Sequence, residues 1–254
     1  MSMKVYMKTD TGKIRSSNQD AMFSVQTEDG VLFAAVCDGM GGANGGNVAS
    51  ELCVKTLQPQ LRRAYHSGMS EKSVGQMLTT ALFNANIAVY EESRKSEALS
   101  GMGTTAVLAM IREKQLFLAH VGDSRALLLR GGTVQQLTHD HTIVQAMVDS
   151  GEISEQQAQQ HPQKHIITRA VGVLPEVEVD NSEWELQQDD LLLLCSDGLS
   201  NHLDNEQISK AAKQLPPEKL AEGLVALANE DGGSDNITVV VISVNDATGG
   251  NENG

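Results

Sequence analysis

The chain has 254 residues, which suffices for one large domain or two small ones. Acidic residues outnumber basic ones by 33 to 19, and the formal charge of −14 argues against a nucleic-acid-binding or anionic-membrane surface. The three cysteines form no CxxC pair, residues 1–30 show no signal-peptide pattern, and no apolar run reaches membrane-spanning length, so we expect a cytoplasmic protein.

The first part of the chain predicts a short strand at Lys4–Thr9 and a hairpin formed by Ala21–Gln26 and Val31–Cys37. The second hairpin strand ends in Asp38, which is followed by a glycine-rich stretch. A carboxylate at the tip of a buried strand is unfavourable unless something binds it. The neighbouring glycines let the backbone turn sharply and approach a ligand. The pattern therefore predicts that Asp38 holds a metal ion.

Two pairs of helices are predicted from apolar residues at helical spacing. The first pair is Asn47–Leu57, which we expect Pro59 to interrupt or kink, and a helix that begins at Ser70. The second pair is Asp204–Leu215, capped by Asp204, and Pro217–Asn229. The stripe that the Ser70 helix presents to a core consists of Val74, Met77, Leu78, Ala81, Leu82, Ala85 and Val89.

The middle of the chain contains short apolar runs joined by short polar links. The predicted strands are Thr105–Ile111, Gln115–Val121, Ala126–Leu129, Val134–Leu137, Glu178–Leu186, Leu191–Cys195 and Ile237–Val244. Links this short join antiparallel strands, whereas a parallel doubly wound sheet needs a helix at each crossover. We therefore predict an α+β fold, a sandwich of two antiparallel sheets with helix pairs on both outer faces, in one domain over residues 1–245.

Residues 139–172 are polar and carry only weak helical patterns, near Ile143–Ser150 and Ser154–Gln160. We interpret them as a mobile insertion packed over the main body. Residues 246–254 are rich in Gly and Asn and are predicted to be disordered.

Asp38 is one of four aspartates that adjoin a predicted strand. Asp123 and Asp197 follow strands, and Asp235 precedes the last one. If the last strand is antiparallel to its neighbours, all four carboxylates gather at one end of the sheets. The alternative for each is a simple Asp-Gly or Asp-Asn turn.

Such a cluster favours divalent cations. Aspartate oxygens select Mg²⁺ or Mn²⁺ over Zn²⁺, and crowded carboxylates repel one another unless cations lie between them. Two such ions that share a water molecule suit phosphoryl transfer.

Six short motifs extend this pattern along the chain. They are Arg15 with Ser17-Asn18-Gln19-Asp20, Asp38-Gly39-Met40-Gly41-Gly42, Gly103-Thr104-Thr105, Val121-Gly122-Asp123-Ser124-Arg125, Ser196-Asp197-Gly198-Leu199 and Asp235-Asn236-Ile237-Thr238. In this order they resemble the metal-dependent serine/threonine protein phosphatases of type 2C in their compact bacterial form. The resemblance covers about residues 4–244, and it identifies residues 139–172 with the variable flap of that family.

The resemblance implies a centre of two Mn²⁺ or Mg²⁺ ions. By position, Asp38 bridges the two ions, and the Gly39 carbonyl oxygen is a further ligand. Asp197 and Asp235 complete the protein ligands, and Asp20 supports the pair through water.

The resemblance also implies that Asp123, with help from Asp197, forms a third and weaker metal site. Arg15 is expected to bind the substrate phosphate through its guanidinium. The implied activity is hydrolysis of phosphoserine and phosphothreonine in proteins by attack of a metal-activated water. A cognate serine/threonine kinase and a monomeric state are the expected partner and assembly, with no nucleic acid and no membrane.

The sequence departs from the family at the proton donor. Many eukaryotic members have His in place of Met40, and some bacterial members have His in place of Ala43. His141 and His165, or a water molecule, are the remaining candidates for the general acid.

Other histidines and two other functions are alternatives to parts of this interpretation. His120 lies in an apolar run and is expected to be a hydrogen-bonded core residue, and a metal pair at His139 and His141 lacks further ligands. The alternative functions are a metal-dependent phosphoesterase for small molecules and a non-catalytic binding module of the same fold.

Overall fold

The computed structural model describes residues 2–245, so the predicted disorder at residues 246–254 lies outside the described residues. In chain order its strands are β1 (Ser2–Asp10), β2 (Asp20–Gln26), β3 (Leu32–Met40), β4 (Gly103–Thr104), β5 (Ala106–Arg112), β6 (Gln115–Val121), β7 (Arg125–Arg130), β8 (Thr133–Gln136), β9 (Asp180–Glu185), β10 (Leu191–Cys195) and β11 (Ile237–Asn245). Its helices are α1 (Gly42–Ala64), α2 (Glu71–Ser93), α3 (Ile143–Asp149), α4 (Glu155–Gln159), α5 (Asp197–Ser200), α6 (Asn205–Gln214) and α7 (Pro217–Glu230).

The strands form two sheets, and within each sheet every two paired strands run antiparallel. The first sheet has the order β1-β11-β10-β7-β8, and the second has the order β2-β3-β5-β6-β9 with β4 paired to the end of β3. The short links predicted this arrangement, because antiparallel neighbours can be joined by tight turns.

Three apolar layers stabilise the sandwich. Side chains that alternate along the facing strands, such as Val36, Leu118 and Val240, fill the space between the two sheets. Helices α1 and α2 cover the outer face of the second sheet, and α6 and α7 cover that of the first. The predicted α+β sandwich with helix pairs on both outer faces is confirmed.

Strand β3 is longer than predicted. It continues through Asp38 to Met40, because Gly39 and Met40 pair with Thr104 and Gly103 of β4. Asp38 therefore lies inside the paired strand and not at its tip.

Helix α1 also differs from the prediction. It begins at Gly42, inside the glycine-rich stretch, and continues past Pro59 to Ala64. Proline removes the hydrogen bond to the carbonyl of Lys55, four residues earlier. Both residues are exposed, so water can satisfy that carbonyl and the helix is not interrupted.

The flap, residues 139–172, contains α3 and α4 at the predicted helical pieces. Its two ends are joined by a bridge of Thr142 to Ile167, and Val171 near its second end forms a bridge to Thr104 of β4. Its mobility remains a prediction. None of the helices in residues 2–245 is long and apolar enough to cross a membrane.

Candidate active site

Five aspartates meet at one end of the sandwich. Asp20 begins β2 and is the cross-strand partner of Asp38 on β3. Asp123 follows β6, Asp197 follows β10 at the start of α5, and Asp235 precedes β11. Because β11 runs antiparallel to β10, its beginning lies at the same edge as the end of β10. The structure thus brings together the four predicted strand-end carboxylates and Asp20, which the family resemblance implied.

The carboxylates perturb one another strongly. Burial raises the pKa of Asp38 well above its usual value, and the charges of Asp20, Asp197, Asp123 and Asp235 raise it further. Every other member of the cluster therefore acts on Asp38 electrostatically, which places this residue at the centre of the group.

The remaining members show the same effect. Burial raises the pKa of Asp20 to about 6, although hydrogen bonds from Thr238 and Ser196 oppose the shift. Burial and the charge of Asp197 raise the pKa of Asp123 to about 7. Burial, followed by the charge of Asp235, raises the pKa of Asp197. Without a cation, such a cluster retains protons near neutral pH.

Two carboxylate oxygens of the cluster are buried without a hydrogen-bond partner within residues 2–245, namely Asp20 Oδ1 and Asp197 Oδ1. The other oxygen of each group is engaged: Ser196 Oγ donates to Asp20 Oδ2 at 2.8 Å, and Asn201 Nδ2 donates to Asp197 Oδ2 at 2.9 Å. A buried, unpaired carboxylate oxygen is unfavourable, and a hard cation such as Mg²⁺ or Mn²⁺ satisfies it. The donor set fits these ions, because it consists of oxygen atoms.

Hydroxyl groups that the sequence analysis did not single out fix the position of Asp38. Its amide donates to Thr105 Oγ1 at 3.0 Å, and its carbonyl accepts from Thr105 N and from Thr104 Oγ1, both at 2.8 Å. Thr105 Oγ1 also lies 2.7 Å from Ser124 Oγ, next to Asp123. The only signal for them in the sequence is their place in the motifs Gly103-Thr104-Thr105 and Val121-Gly122-Asp123-Ser124-Arg125.

Gly39 is required by close backbone packing. A Cβ atom at this position would lie 2.1 Å from the carbonyl oxygen of Gly46 and 2.5 Å from that of Gln19. The start of α1 can therefore approach β3 only because glycine stands here. The role of the Gly39 carbonyl as a ligand remains a prediction.

Arg15 lies at the rim of the cluster. Its Nη2 atom is 2.7 Å from Asp235 Oδ2, and its side chain is 53% exposed. The loop that carries it is fixed by Asn236, which accepts from Gln19 N at 2.7 Å and donates to Ser17 O at 3.0 Å. A partly exposed guanidinium beside the carboxylates can reach both the cluster and a ligand from solvent.

The two histidines considered as general acids occupy different positions. Both ring nitrogens of His141 are engaged, by Gly122 N and by Asp180. Burial raises the pKa of Asp197 and the charge of His165 opposes this shift, so His165 is the one of the two that acts electrostatically on Asp197. His139 contacts Asp149 at 2.8 Å and forms no joint metal site with His141 within the described residues.

A cleft of about 920 Å³ leads from Asp123 and Asp197 to the surface, between the flap and helices α5 and α6. It is large enough for several residues of an extended chain. Its outer part is lined by charged side chains that include Asp149, Glu155 and Glu206.

Comparison with known proteins identifies the family of the chain and its fold. A family model described as protein phosphatase 2C matches residues 13–232. The chain belongs to the protein phosphatase 2C family. It is 38% identical over 248 residues to the serine/threonine phosphatase stp of Listeria welshimeri, with 96% of each chain covered.

Solved structures of 2C phosphatases agree. The serine/threonine phosphatase of S. agalactiae has a TM-score of 0.89 and 35% identity, with 96% of this chain and 100% of that one covered. The catalytic domain of the serine/threonine protein phosphatase PstP, solved with two manganese ions, has a TM-score of 0.82 and 34% identity, with 96% and 99% covered. The chain is therefore a metal-dependent serine/threonine protein phosphatase of the 2C type, as its motifs predicted.

Proposed function

We propose that this phosphatase hydrolyses its phosphoprotein substrates at a centre of two Mn²⁺ or Mg²⁺ ions held by Asp38, Asp197 and Asp235 and by the Gly39 carbonyl. The observation that supports this assignment is the burial of a carboxylate cluster that contains unpaired oxygens. Asp20, opposite Asp38, supports the pair from the neighbouring strand.

A third, weaker site is proposed at Asp123 with help from Asp197. Asp123 is buried, and burial and the charge of Asp197 raise its pKa, which supports a cation between the two carboxylates. When bound, divalent ions lower the pKa of water and offset negative charge on a phosphoryl group.

Arg15 is proposed to bind the phosphate of the substrate. Its guanidinium can donate two parallel hydrogen bonds to phosphate oxygens, and its ion pair with Asp235 keeps it at the edge of the cluster. Because the side chain is half-exposed, it can turn from the carboxylate to the substrate without breaking buried contacts.

The chain offers no thiol nucleophile in this region. Cys37, Cys53 and Cys195 are buried free thiols. Hydrogen bonding to Cys53, together with burial, raises the pKa of Cys37, and burial raises that of Cys195 to about 12. Cys37 and Cys195 stay protonated, which supports direct attack of water on phosphorus over a cysteinyl-phosphate intermediate.

The cleft beside Asp123 and Asp197 is proposed to receive the protein chain around the phosphorylated residue, with the flap as one wall. We further propose that residues 1–245 act as a single catalytic domain, as a monomer in the cytoplasm. A serine/threonine kinase that phosphorylates the same substrates is the proposed partner.

The test is an assay of the purified protein with a phosphothreonine peptide and with p-nitrophenyl phosphate. Turnover of the peptide should require Mn²⁺, stop with excess chelator and return when Mn²⁺ is restored. Asp197→Asn should abolish it, whereas Asp231→Asn, at an exposed carboxylate paired with His202, should not. Activity confined to the small ester would favour a small-molecule phosphoesterase, and no turnover of either substrate would favour a binding module.

A further inference from the structure

His141, near the N-terminal end of the flap, forms hydrogen bonds with both the backbone N–H and the carbonyl oxygen of Gly122. Gly122 N donates to His141 Nδ1 at 3.0 Å, and His141 N donates to Gly122 O at 3.1 Å. Both residues are buried. Gly122 is the residue immediately before Asp123, so this reciprocal contact acts on the backbone from which the Asp123 carboxylate projects.

The hydrogen bond fixes the tautomer of His141. Because Nδ1 accepts a hydrogen bond from Gly122 N, the neutral imidazole carries its proton on Nε2. That atom lies 3.3 Å from Asp180 Oδ2 and 3.2 Å from Arg169 Nη1, and since a guanidinium is only a donor, Nε2 donates to the carboxylate. Asp180 Oδ1 in turn accepts from Arg169 Nη1 at 2.7 Å, and Arg169 Nη2 lies 3.1 Å from Glu178. Asp180 thus orients the imidazole ring, and Arg169, near the C-terminal end of the flap, orients the Asp180 carboxylate.

The face of the His141 ring is fixed as well. It stacks on His120 with ring centroids 4.8 Å apart and an interplanar angle of 14°. His120 Nε2 lies 2.8 Å from the carbonyl oxygen of His139, to which it donates. His120 and Asp180 are also cross-strand partners on β6 and β9.

A metal ion shared by His120, His141 and Asp180 does not fit this geometry. In these nearly parallel, stacked rings the nitrogen lone pairs lie in separate parallel planes and so do not converge on one point. The guanidinium of Arg169 moreover already neutralises Asp180. The group is a support for the Gly122 backbone and not a cation site.

The opposite side of Gly122 is closed by Thr105. Gly122 has a φ of 102°, and a Cβ atom there would lie 2.6 Å from Thr105 Cγ2. Thr105 Oγ1 accepts the amide of Asp38 at 3.0 Å. The loop that carries Asp123 is therefore clamped between Thr105, which is tied to Asp38, and the imidazole of His141.

We propose that His141, oriented by Asp180, is a positioning residue for Asp123: its Nδ1 atom sets the Gly122–Asp123 backbone so that the Asp123 carboxylate faces the cation it shares with Asp197. This rests on the proposed function, in which Asp123 is a ligand of the third and weaker site. His141 acts through Gly122 and does not touch the substrate, so the role differs from that of a general acid.

The test is a double-mutant cycle read by calorimetric Mn²⁺ binding. His141→Phe keeps the ring stacked on His120 but loses both nitrogens, and it should weaken the weakest Mn²⁺-binding step about tenfold or more. In the Asp123→Ala background the same substitution should cause no further loss, because the carboxylate that it positions is absent. His141→Asn, whose carboxamide oxygen can accept the Gly122 amide, should recover most of the wild-type affinity.

His120→Phe is the matched control. It alters the same ring stack and removes the contact with His139, but it leaves the Gly122 amide bonded to His141, so Mn²⁺ binding should be unchanged. The Gly122 amide resonance in an NMR spectrum should move with His141→Phe and not with His120→Phe. If His141→Phe does not fold, Asp180→Asn, which removes only the orienting charge, takes its place in the cycle.

Equal losses of affinity in the wild-type and Asp123→Ala backgrounds, or wild-type binding by His141→Phe, would overturn the proposal. The result of this Mn²⁺-binding test can be distinguished from the result of the phosphopeptide assay that tests the proposed function. A protein that binds Mn²⁺ in this pattern but fails to turn over a phosphopeptide would contradict the function and leave the positioning role intact.

Discussion

Asp20 and Asp38 lie directly opposite each other on the antiparallel strands β2 and β3. Like charges at directly opposed positions destabilise a sheet. The structure shows the consequence, because burial and mutual repulsion raise the pKa of Asp38 well above its usual value. A pair arranged in this way is unfavourable for the metal-free fold and favourable for a fold that binds a divalent cation.

Replacement of Asp38 by asparagine should separate metal binding from stability. The amide has the shape of the protonated carboxyl group that the metal-free protein favours, so the free energy of unfolding in chelator should change little. Phosphopeptide turnover with Mn²⁺ should fall about 100-fold or more, because a charged ligand is lost. Urea unfolding and initial rates measure the two effects.

Asp189→Asn is the matched control for this variant. Asp189 is exposed and has a φ of 66°, a conformation that asparagine also tolerates. It should retain wild-type rates and stability. An Asp38→Asn protein with normal turnover and normal Mn²⁺ dependence would contradict the assigned site.

The raised pKa of Asp20 predicts how stability varies with pH in chelator. Between the usual value of 3.8 and the value of about 6 in the fold, the folded state binds more protons at this group than the unfolded state does. The free energy of unfolding therefore falls as pH rises through this window. Wild type should lose stability relative to Asp20→Asn between about pH 4 and pH 7.

The comparison with Asp20→Asn removes this group together with its effect on Asp38, whereas the titrating groups outside the cluster are common to both proteins. Unfolding midpoints in urea at several pH values, with chelator present, give the difference directly. A wild-type protein that gains stability relative to Asp20→Asn over the same range would contradict the electrostatic account of the cluster.

Arg15 should affect substrate binding more than folding. Its guanidinium is 53% exposed, and its ion pair with Asp235 is accordingly weak in solvent. Arg15→Ala should lower kcat/KM for a phosphothreonine peptide about 10- to 100-fold through loss of charge-assisted hydrogen bonds. Arg15→Lys should recover only part of the lost kcat/KM, since an ammonium group does not bind phosphate in a bidentate manner.

Arg63→Ala, at an exposed arginine near the end of α1, serves as the control for general loss of positive charge. It should leave kcat/KM unchanged. Equal effects of the two alanine variants would show that Arg15 has no specific contact with the phosphate.

The convergence of the aspartates was predictable because it follows from strand ends and antiparallel order alone. Asp38, Asp123 and Asp197 each close an apolar run, and a strand edge is a local feature of the sequence. The family resemblance then supplied Asp20 and Arg15, which no periodicity singles out.

The contacts that fix these carboxylates could not be predicted in the same way. Thr105 is bonded to Asp38, and Ser196 to Asp20, across 67 and 176 positions of the chain, respectively. Such pairs depend on which strands become neighbours in the fold. A single Ser, Thr or His side chain in the sequence does not indicate which strand will lie beside it. The extension of β3 to Met40 has the same cause, since it requires β4 as a partner.

The ion pair between buried Asp190 and half-exposed Arg130, at the opposite end of β10 from Asp197, should control stability without affecting catalysis. Asp190 is 1% exposed, and it accepts from Arg130 Nε at 2.9 Å, from Arg130 Nη2 at 2.7 Å and from Gln187 N at 2.7 Å. Asp190→Asn removes the charge while keeping the shape, and its amide nitrogen cannot accept the bonds that one of the two carboxylate oxygens receives. The free energy of unfolding should fall by about 2 to 3 kcal/mol, because charged hydrogen bonds are lost at a buried position. The neighbouring substitution Asp189→Asn should leave the free energy of unfolding within about 0.5 kcal/mol of wild type.

Catalysis should not depend on this ion pair. Below the unfolding transition, kcat for the phosphopeptide should be the same in wild type, Asp190→Asn and Asp189→Asn. A reduced kcat in folded Asp190→Asn would show that the pair also supports the active site.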